Sequence, residues 1–486
     1  MAVMSQQKPR VIIVGGGFGG LAAAQALANA PVQVTLVDRR NHHVFQPLLY
    51  QVATAALSPA DISAPIRSVL RHQRNCEVAL AEVRAIDAGR RRLILDDCEM
   101  AYDYLILAAG ATHSYFGHDE WAALAPGLKS IEDATELRRR ILLAFESAEY
   151  EADEQARQTT LTFAIVGGGP TGVELAGAIE EIAVRTIPKD YHHIDTTTTR
   201  VILFEGTDRL LPPFPPKLSV RAKRDLERMG VEVRLNAMVT SITNEGIHVG
   251  ETFTPVRNVF WAAGVKASPL AASLGAQLDR AGRVCVSPDL TIPGHPEVFV
   301  IGDLAAARSA DTGEPVPGVA QAALQMGQFA GRTIAAEVTA QARGEQSPSF
   351  VYRDKGMMAI IGKARAVAWI GRLRIGGPIA WLLWGGVHIA FLIGFRNRLA
   401  VLTGWFWNWL INARDARLIL GEAYLRVQRR REGVCRPPSG ADEKPSAEPA
   451  AKAVVRDHGS LSNIVDEAGD HSFPCSDPPG FYAIRR

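Results

Sequence analysis

Glycines spaced for phosphate binding follow an apolar run near the start of the chain. Residues 11–14 lead into Gly15-x-Gly17-x-x-Gly20, and a second apolar run, residues 34–37, ends at Asp38. In a strand–turn–helix–strand unit the first glycine permits the tight turn, the second lets the backbone approach a pyrophosphate, and the third lets the helix pack closely. The N–H groups of a helix beginning near Gly19 would hold the anion, and Asp38 would accept a hydrogen bond from a ribose hydroxyl. The unit predicts a dinucleotide site.

The same parts recur in the middle of the chain. Residues 163–166 lead into Gly167-Gly168-Gly169-Pro170-Thr171-Gly172, and residues 201–204 end at Glu205, with a polar insertion at residues 185–199 between them. An acid at this strand end repels a 2′-phosphate, so we predict NADH rather than NADPH, although such an acid can also be merely solvated. Two dinucleotide sites suggest one nucleotide that stays bound and one that visits.

A third apolar run, residues 298–301, ends in Gly302-Asp303 and precedes a predicted helix at residues 320–335. We interpret Asp303 as a contact to the ribityl or pyrophosphate part of a flavin, with helix N-capping as the alternative. Because this strand returns after the second glycine unit, the order of elements is that of one domain inserted into another. The fold prediction is therefore an α/β protein with two nested Rossmann-like dinucleotide-binding domains.

Composition argues against several other classes of protein. The 486 residues carry a net charge of +2, so the protein has no strong overall positive potential that would favour nucleic-acid binding. The five cysteines are scattered without a C-x-x-C pair or a metal-like cluster, which disfavours both a disulfide framework and a metal site. The short polar N-terminus lacks the apolar core of a secretory signal. These features predict a reduced, cytosol-facing compartment.

The C-terminal part of the chain is rich in tryptophan. Six of the eight tryptophans lie between residues 369 and 409, and residues 375–395 contain no Asp, Glu, Lys or Arg but are flanked by arginines. This run is long enough to span a bilayer, whereas Pro378 and five glycines disfavour a continuous lipid-exposed helix. Three alternatives follow: interfacial attachment with tryptophans and arginines at the headgroups, one span at residues 375–395, or a buried soluble core.

Several local sequences coincide with those of one family. They are residues 45–53 (FQPLLYQVA) with 57–59 (LSP), 132–134 (EDA), 169–177 (GPTGVELAG), 320–325 (AQxAxQ), 387–389 (VHI) and 392–398 (LIGFRNR). Over roughly residues 10–425 the chain resembles the type II NADH:quinone oxidoreductases. These are the non-proton-pumping NADH dehydrogenases of the two-dinucleotide-binding-domain flavoprotein superfamily.

The resemblance implies tightly bound FAD in the first unit and NADH as a substrate in the second. For FAD it implies Gly15, Gly17, Phe18, Gly19, Gly20, Asp38, Arg39, Val83, Ala109, Gly110, Gly302, Asp303 and Gln321. For NADH it implies Gly167, Gly169, Pro170, Thr171, Gly172, Glu174, Glu205 and Gly264. The arrangement would stack nicotinamide C4 against flavin N5, and the orientation of that pair is most of what hydride transfer needs.

The resemblance also implies a membrane quinone that takes up two electrons and two protons. Gln321 and Gln325, four residues apart on one helix face, would contact the quinone; two solvent-facing glutamines are the alternative. Glu174 would relay a proton or position a substrate, although a carboxylate near a helix start can merely favour the dipole. The family attaches to the lipid surface as a monotopic protein, here at the cytoplasmic face of the inner membrane, and is commonly dimeric.

Domain boundaries follow from the order of these segments. We predict a split FAD domain (1–115 and 290–345), a linking helical region (116–158), an NADH domain (159–289), a membrane-attachment region (346–432) and a disordered tail (433–486). One alternative function is a flavin- and NADH-binding redox sensor resembling apoptosis-inducing factor. A sulfide:quinone oxidoreductase needs a cysteine pair that Cys76, Cys98 and Cys285 do not match, and the missing C-x-x-C argues against a disulfide reductase.

Overall fold

The first glycine unit belongs to a six-stranded sheet. The computed structural model describes residues 8–339, 348–411, 414 and 416–419. In spatial order the strands of this sheet are Thr291–Ile292, His295–Val300, Tyr104–Leu107, Arg10–Val14, Gln33–Asp38 and Cys76–Leu80. All neighbours are parallel except the first pair, which is antiparallel. Since the strand at residue 295 joins a sheet begun at residue 10, the first domain is split around the second, and the nested α/β fold is confirmed.

The second glycine unit forms its own parallel sheet of four strands. Their spatial order is Glu232–Arg234, Arg200–Phe204, Thr162–Val166 and Asn258–Trp261. An antiparallel sheet of Ser241–Ile242, Gly246–Val249 and Thr252–Pro255 follows the first of these strands along the chain. An antiparallel ladder between Ala111–His113 and Val265–Ala267 joins the two glycine units. The two ladder strands follow Tyr104–Leu107 and Asn258–Trp261 along the chain, so the ladder links the carboxyl end of one strand in each parallel sheet.

Ten α-helices occur in the described part of the chain. They are α1 (Phe18–Ala26), α2 (Leu49–Ala53), α3 (Ile66–Leu70), α4 (Ile131–Tyr150), α5 (Glu154–Thr160), α6 (Pro170–Glu181), α7 (Pro216–Glu227), α8 (Ala320–Val338), α9 (Pro378–Phe391) and α10 (Phe395–Ile411). The predicted linking helical region, residues 116–158, contains α4 and the start of α5. Helix α4 begins at Ile131 because Ser130 and Asp133 form a capping box, and α5 begins at Glu154 because Asp153 caps it.

Helices α1 and α8 approach each other closely. A methyl group built on Gly327 would lie 2.1 Å from Gly19 O, and one on Gly331 would lie 2.8 Å from Ala23 O. Only glycine permits this backbone contact. As a result the N-terminus of α1, after the first glycine turn, and the N-terminus of α8 border the same cavity.

The C-terminal region begins with an antiparallel sheet of Met357–Gly362, Arg365–Ile370 and Leu373–Gly376. Helices α9 and α10 follow, and the 21-residue uncharged run is divided between strand and helices. Gly377 (φ +86°) begins α9 and Gly394 (φ +89°) separates it from α10. Within the described residues, no helix is both long enough and apolar enough to cross a membrane. Where the sequence offered a single span at residues 375–395, the structure has the end of a strand, α9 and the start of α10. The predicted tail lies outside the described residues.

Candidate active site

The first glycine turn has the backbone geometry that its sequence predicts. Gly15 adopts φ +103°, and a methyl group there would lie 2.4 Å from Ala108 O. A methyl group on Gly20 would lie 1.8 Å from Gly15 O, whereas one on Gly17 would meet no atom within 4 Å. Gly17 therefore leaves open space at the start of α1, where helix N–H groups favour an anion. The turn fits a pyrophosphate.

The acid that ends the second strand is held against this turn. Asp38 accepts hydrogen bonds from Gly16 N (2.6 Å) and Arg40 N (2.7 Å). The Arg39 guanidinium points instead toward Glu82, at 3.7 Å. Asp38 is thus oriented next to the glycine turn, where a ribose hydroxyl is expected in this fold.

The second turn repeats this geometry. Gly167 adopts φ +111°, a methyl group on Gly172 would lie 1.8 Å from Gly167 O, and Gly169 faces open space. Glu205 accepts hydrogen bonds from Gly168 N (2.5 Å) and from the amide and hydroxyl of Thr207 (2.8 Å each). The buried carboxylate is therefore bound to the turn, so the merely solvated alternative is wrong.

A cavity of about 640 Å³ lies where the two units meet. The residues with predicted FAD contacts that line it are Gly17, Phe18, Gly19, Gly110, Gly302, Asp303 and Gln321. Those with predicted NADH contacts are Pro170, Thr171 and Glu174. The other predicted residues, Gly15, Gly20, Asp38, Arg39, Val83, Ala109, Gly167, Gly169, Gly172, Glu205 and Gly264, do not line it. A cavity of this volume suits a cofactor, and both glycine turns open toward it.

Asp303 does not cap a helix. It lies within the short 3₁₀ turn Gly302–Leu304, which has no side-chain cap, and α8 begins after Val319. Its carboxylate lies 3.8 Å from Lys129 Nζ, and both side chains line the cavity. Sequence reasoning missed Lys129, which directly precedes the capping box of α4.

A second cavity, of about 740 Å³, is enclosed by α2, α6, α9 and α10. Its walls include Trp384 and Trp405, and its rim includes the exposed side chains of Leu382, Leu402 and Phe406. Tyr50 and Glu174 line both cavities. These two residues therefore form the junction between the cavity next to the glycine turns and the aromatic C-terminal region.

Glu174 lies in the second turn of α6, not the first as the sequence suggested. Burial raises the pKa of its carboxyl group to about 8, with a partial offset from Ile360 N, which donates to Oε1 at 3.4 Å. The group is therefore mostly protonated at neutral pH, which removes the favourable charge–dipole interaction offered as its alternative role. A partly buried acid with a raised pKa that lines two cavities is a candidate for proton transfer.

Tyr50 is tied to α10 through one side chain. Gln51 Nε2 donates to the Tyr50 hydroxyl at 2.8 Å, and Trp405 Nε1 donates to Gln51 Oε1 at 2.7 Å. Burial, followed by the nearby Glu174 carboxyl group, raises the pKa of the Tyr50 phenol well above its usual value. Tyr50 is thus a neutral hydrogen-bond donor. It lies in the segment 45–53 that carried the family resemblance, but no role had been predicted for it.

His388 closes the first cavity from the C-terminal side. Its Nδ1 lies 2.7 Å from Trp384 O, its ring stacks on Trp384 with centroids 4.2 Å apart, and Phe45 packs edge-on at 6.0 Å. Burial lowers the pKa of His388 to about 4, so the ring is neutral. This residue also lies within a family-like segment without a predicted role.

The structure separates the two glutamines of α8. Gln321 lines the first cavity, donates to Gly356 O (3.0 Å) and accepts from Lys355 N (3.1 Å). Gln325 exchanges two hydrogen bonds of 3.0 Å with the Arg353 backbone and lines neither cavity. Both hold the segment before the C-terminal sheet, so neither is simply solvent-facing.

Comparisons with known proteins agree with this architecture. The family model for the pyridine nucleotide-disulphide oxidoreductases matches residues 9–327. Among solved structures, an NDH2 from Plasmodium falciparum in complex with NADH superposes with a TM-score of 0.78 at 20% identity, covering 85% of this chain and 100% of that one. Fold and site thus define a two-dinucleotide oxidoreductase. In the part of the chain that the structure describes, no cysteine lines either cavity, so the disulfide chemistry of that wider class has no candidate here.

Two relatives identify the family within this class of oxidoreductases. The type II NADH:quinone oxidoreductase Ndh of Mycobacterium tuberculosis is 48% identical over 436 residues, which cover 87% of this chain and 93% of the relative. NdhA of the same organism, also a type II NADH:quinone oxidoreductase, is 46% identical and covers 85% and 90%. The chain belongs to the type II NADH:quinone oxidoreductases. It transfers electrons from NADH to a quinone without pumping protons.

Replacing Glu174 with glutamine is expected to change how stability depends on pH. The pKa of Glu174, about 8 in the folded protein, exceeds its ordinary value of 4.5, so the folded protein binds more protons between these values and loses stability as pH rises through this window. The melting temperature of Glu174→Gln, relative to that of the wild type, should therefore rise as the pH increases from 5 to 8. Thermal unfolding checks this, with exposed Glu251→Gln as the control; parallel curves for all three proteins would contradict it.

Proposed function

We propose that FAD binds tightly in the first cavity and that NADH reaches it from the second glycine turn. The observation that carries this proposal is the convergence of both turns and Gly302-Asp303 on one cavity. Gly17 and α1 would hold the FAD pyrophosphate, Asp38 its ribose, and Asp303 its ribityl or pyrophosphate part. When bound there, the flavin would supply a two-electron carrier between NADH and the quinone.

The second cavity is proposed as the quinone site. It is lined mainly by apolar and aromatic side chains, as a site for a lipid-soluble ring compound requires. The second cavity meets the first at Tyr50 and Glu174. Of the two glutamines of α8, Gln321 borders the first cavity and Gln325 does not. We therefore favour Gln321 over Gln325 as a contact near the reacting rings, with Gln325 in a supporting role.

Glu174 and Tyr50 are proposed to serve the quinone half of the reaction. A quinone takes up protons as it is reduced, and a carboxyl group with a pKa of about 8 carries a proton at neutral pH. The Tyr50 hydroxyl, held by Gln51, would orient a quinone carbonyl by hydrogen bonding. Both groups line the two cavities, which is the position a proton donor at this step needs.

Glu205 is proposed to select NADH over NADPH. Its carboxylate is fixed beside the second glycine turn by Gly168 N and Thr207. A 2′-phosphate at the adenosine ribose would meet this negative charge. No arginine or lysine pairs with Glu205 among the described residues, so its charge would remain available to repel the phosphate.

Helices α9 and α10 are proposed to lie in the lipid interface at the cytoplasmic face of the inner membrane. They expose large apolar side chains, namely Ile379, Leu382, Phe391, Phe395, Leu399, Leu402, Phe406, Trp407, Trp409 and Leu410. The rim of the second cavity shares several of them, so a quinone dissolved in lipid would enter there. A homodimer remains a proposal from family resemblance.

The catalytic roles are tested by separating the two half-reactions. In Glu174→Gln holoenzyme we expect flavin reduction by NADH near the wild-type rate and reoxidation by a soluble quinone analogue slowed by about tenfold or more, since proton transfer typically contributes at least that much. Anaerobic stopped-flow measurement of flavin absorbance gives both rates, with Glu251→Gln as the control. Unchanged reoxidation would contradict the role of Glu174.

Membrane attachment is tested with a matched pair of double variants. Phe395→Ser/Leu399→Ser removes exposed apolar area from α10, whereas Leu80→Ser/Phe253→Ser removes exposed apolar area elsewhere. Because each buried side chain contributes about 1.5–3 kcal/mol, the first variant should bind lipid vesicles at least tenfold more weakly in sedimentation assays. Turnover of a soluble quinone analogue should persist in both. Equal vesicle binding by the two variants would refute the assignment.

A further inference from the structure

Two exposed apolar side chains rest on glycines beside the second nucleotide turn. Phe116 is 67% exposed and Met238 is 66% exposed. A methyl group built on Gly264 would lie 2.5 Å from Phe116 Cζ, and one built on Gly206 would lie 2.7 Å from Met238 Cε. Neither side chain belongs to a hydrophobic core cluster, although the Phe116 ring centroid lies 6.2 Å from that of the buried Trp261. Most of each side chain is left exposed beside the turn.

The strand order places these two side chains on opposite sides of the turn. In an open parallel sheet the dinucleotide binds outside the carboxyl ends of the strands. Gly206 follows Arg200–Phe204 on one side of the central strand Thr162–Val166, and Gly264 follows Asn258–Trp261 on the other. Because Glu205 marks the adenosine ribose, Met238 lies toward the adenine end and Phe116 toward the nicotinamide end.

The backbone holds both side chains in place. On the Met238 side, Asn236 N donates to Thr207 O (2.9 Å) and Ala237 N donates to Glu205 O (2.8 Å). These bonds fasten the loop to the strand end that carries the acid. Met238 is therefore exposed at a fixed position beside Glu205.

The support beneath Phe116 is also rigid. Ser114 N donates to Gly264 O (3.1 Å), and Trp261 Nε1 donates to Ser114 O (2.8 Å). Phe116 itself adopts φ +53°, a left-handed backbone conformation that is costly for a bulky residue. Such strain persists where the surroundings fix it and is concentrated at ligand clamps.

We propose that Phe116 and Met238 are the two ends of a clamp on bound NADH, with Phe116 packing on the nicotinamide riboside and Met238 on the adenine. An aromatic ring and a thioether both pack favourably on planar heterocycles. This inference rests on the proposed NADH site and adds two positioning residues to it. The clamp would raise affinity for the dinucleotide without touching the quinone half of the reaction.

The test uses anaerobic reduction of the holoenzyme by NADH and by reduced nicotinamide mononucleotide, which lacks the adenosine half. The dependence of the flavin bleaching rate on nucleotide concentration gives the dissociation constant and the limiting rate. Met238→Ala should raise the dissociation constant for NADH about three- to tenfold and leave that for the mononucleotide unchanged. Phe116→Ala should raise both, and Phe116→Leu should restore part of the loss.

Leu80→Ala, an exposed apolar residue in the first unit, is the matched control and should leave both dissociation constants and the melting temperature unchanged. The clamp would be overturned if Phe116→Ala and Met238→Ala both bound NADH with the wild-type dissociation constant. It would also be overturned if Met238→Ala changed the dissociation constant for the mononucleotide. Because quinone is absent from this assay, failure of the proposed quinone reaction is detected separately, in the reoxidation of reduced wild-type enzyme.

Discussion

The backbone of one short strand presses directly on the helix that follows the second glycine turn. A methyl group on Gly177 of α6 would lie 1.8 Å from Ile361 O, so only glycine permits this contact. Because the strand Met357–Gly362 is held there, Ile360 N reaches Glu174, and α9 and α10, which follow the sheet, enclose the second cavity. The C-terminal region is therefore a wall of the active site as well as an exposed apolar surface.

The two similar nucleotide units have different surroundings. The first unit packs α1 against α8 and contributes Gly17, Phe18 and Gly19 to the enclosed cavity. The second contributes the start of α6 and Phe214 to that cavity, but none of its three motif glycines, Gly167, Gly169 and Gly172, lines it. In the proposed scheme this difference lets FAD stay bound while NADH binds and leaves. The quinone enters from the apolar rim of the second cavity.

Local backbone geometry could be predicted from the sequence, whereas contacts between distant segments could not. The positive φ angles of Gly15 and Gly167 and the close approaches at Gly20 and Gly172 follow from motifs of six residues. Burial raises the pKa of Glu174, and the hydrogen bond that partly offsets this increase comes from Ile360, 186 residues away. The pairing of Gln325 with Arg353 depends on a segment of irregular structure. No local pattern contains that information.

The burial of the individual tryptophans also could not be predicted from the sequence. Composition indicated an interface but could not say which rings face solvent: Trp384 is only 2% exposed and stacks on His388, whereas Trp407 is half exposed. Likewise, the uncharged run was long enough for a span, which was one of three alternatives, but Gly377 and Gly394 adopt positive φ angles and leave a helix of 14 residues. Such a helix is about 21 Å long, less than the hydrocarbon thickness.

The central claim is that the quinone reaches the flavin through the second cavity, at the junction of Tyr50 and Glu174. The most direct measurement is a crystal structure of the holoenzyme with a bound quinone analogue. We predict the quinone ring in the second cavity, with a carbonyl oxygen within hydrogen-bonding distance of the Tyr50 hydroxyl or the Glu174 carboxyl group. A quinone ring bound elsewhere, with Trp384, Trp405 and Glu174 free of contact, would contradict the account.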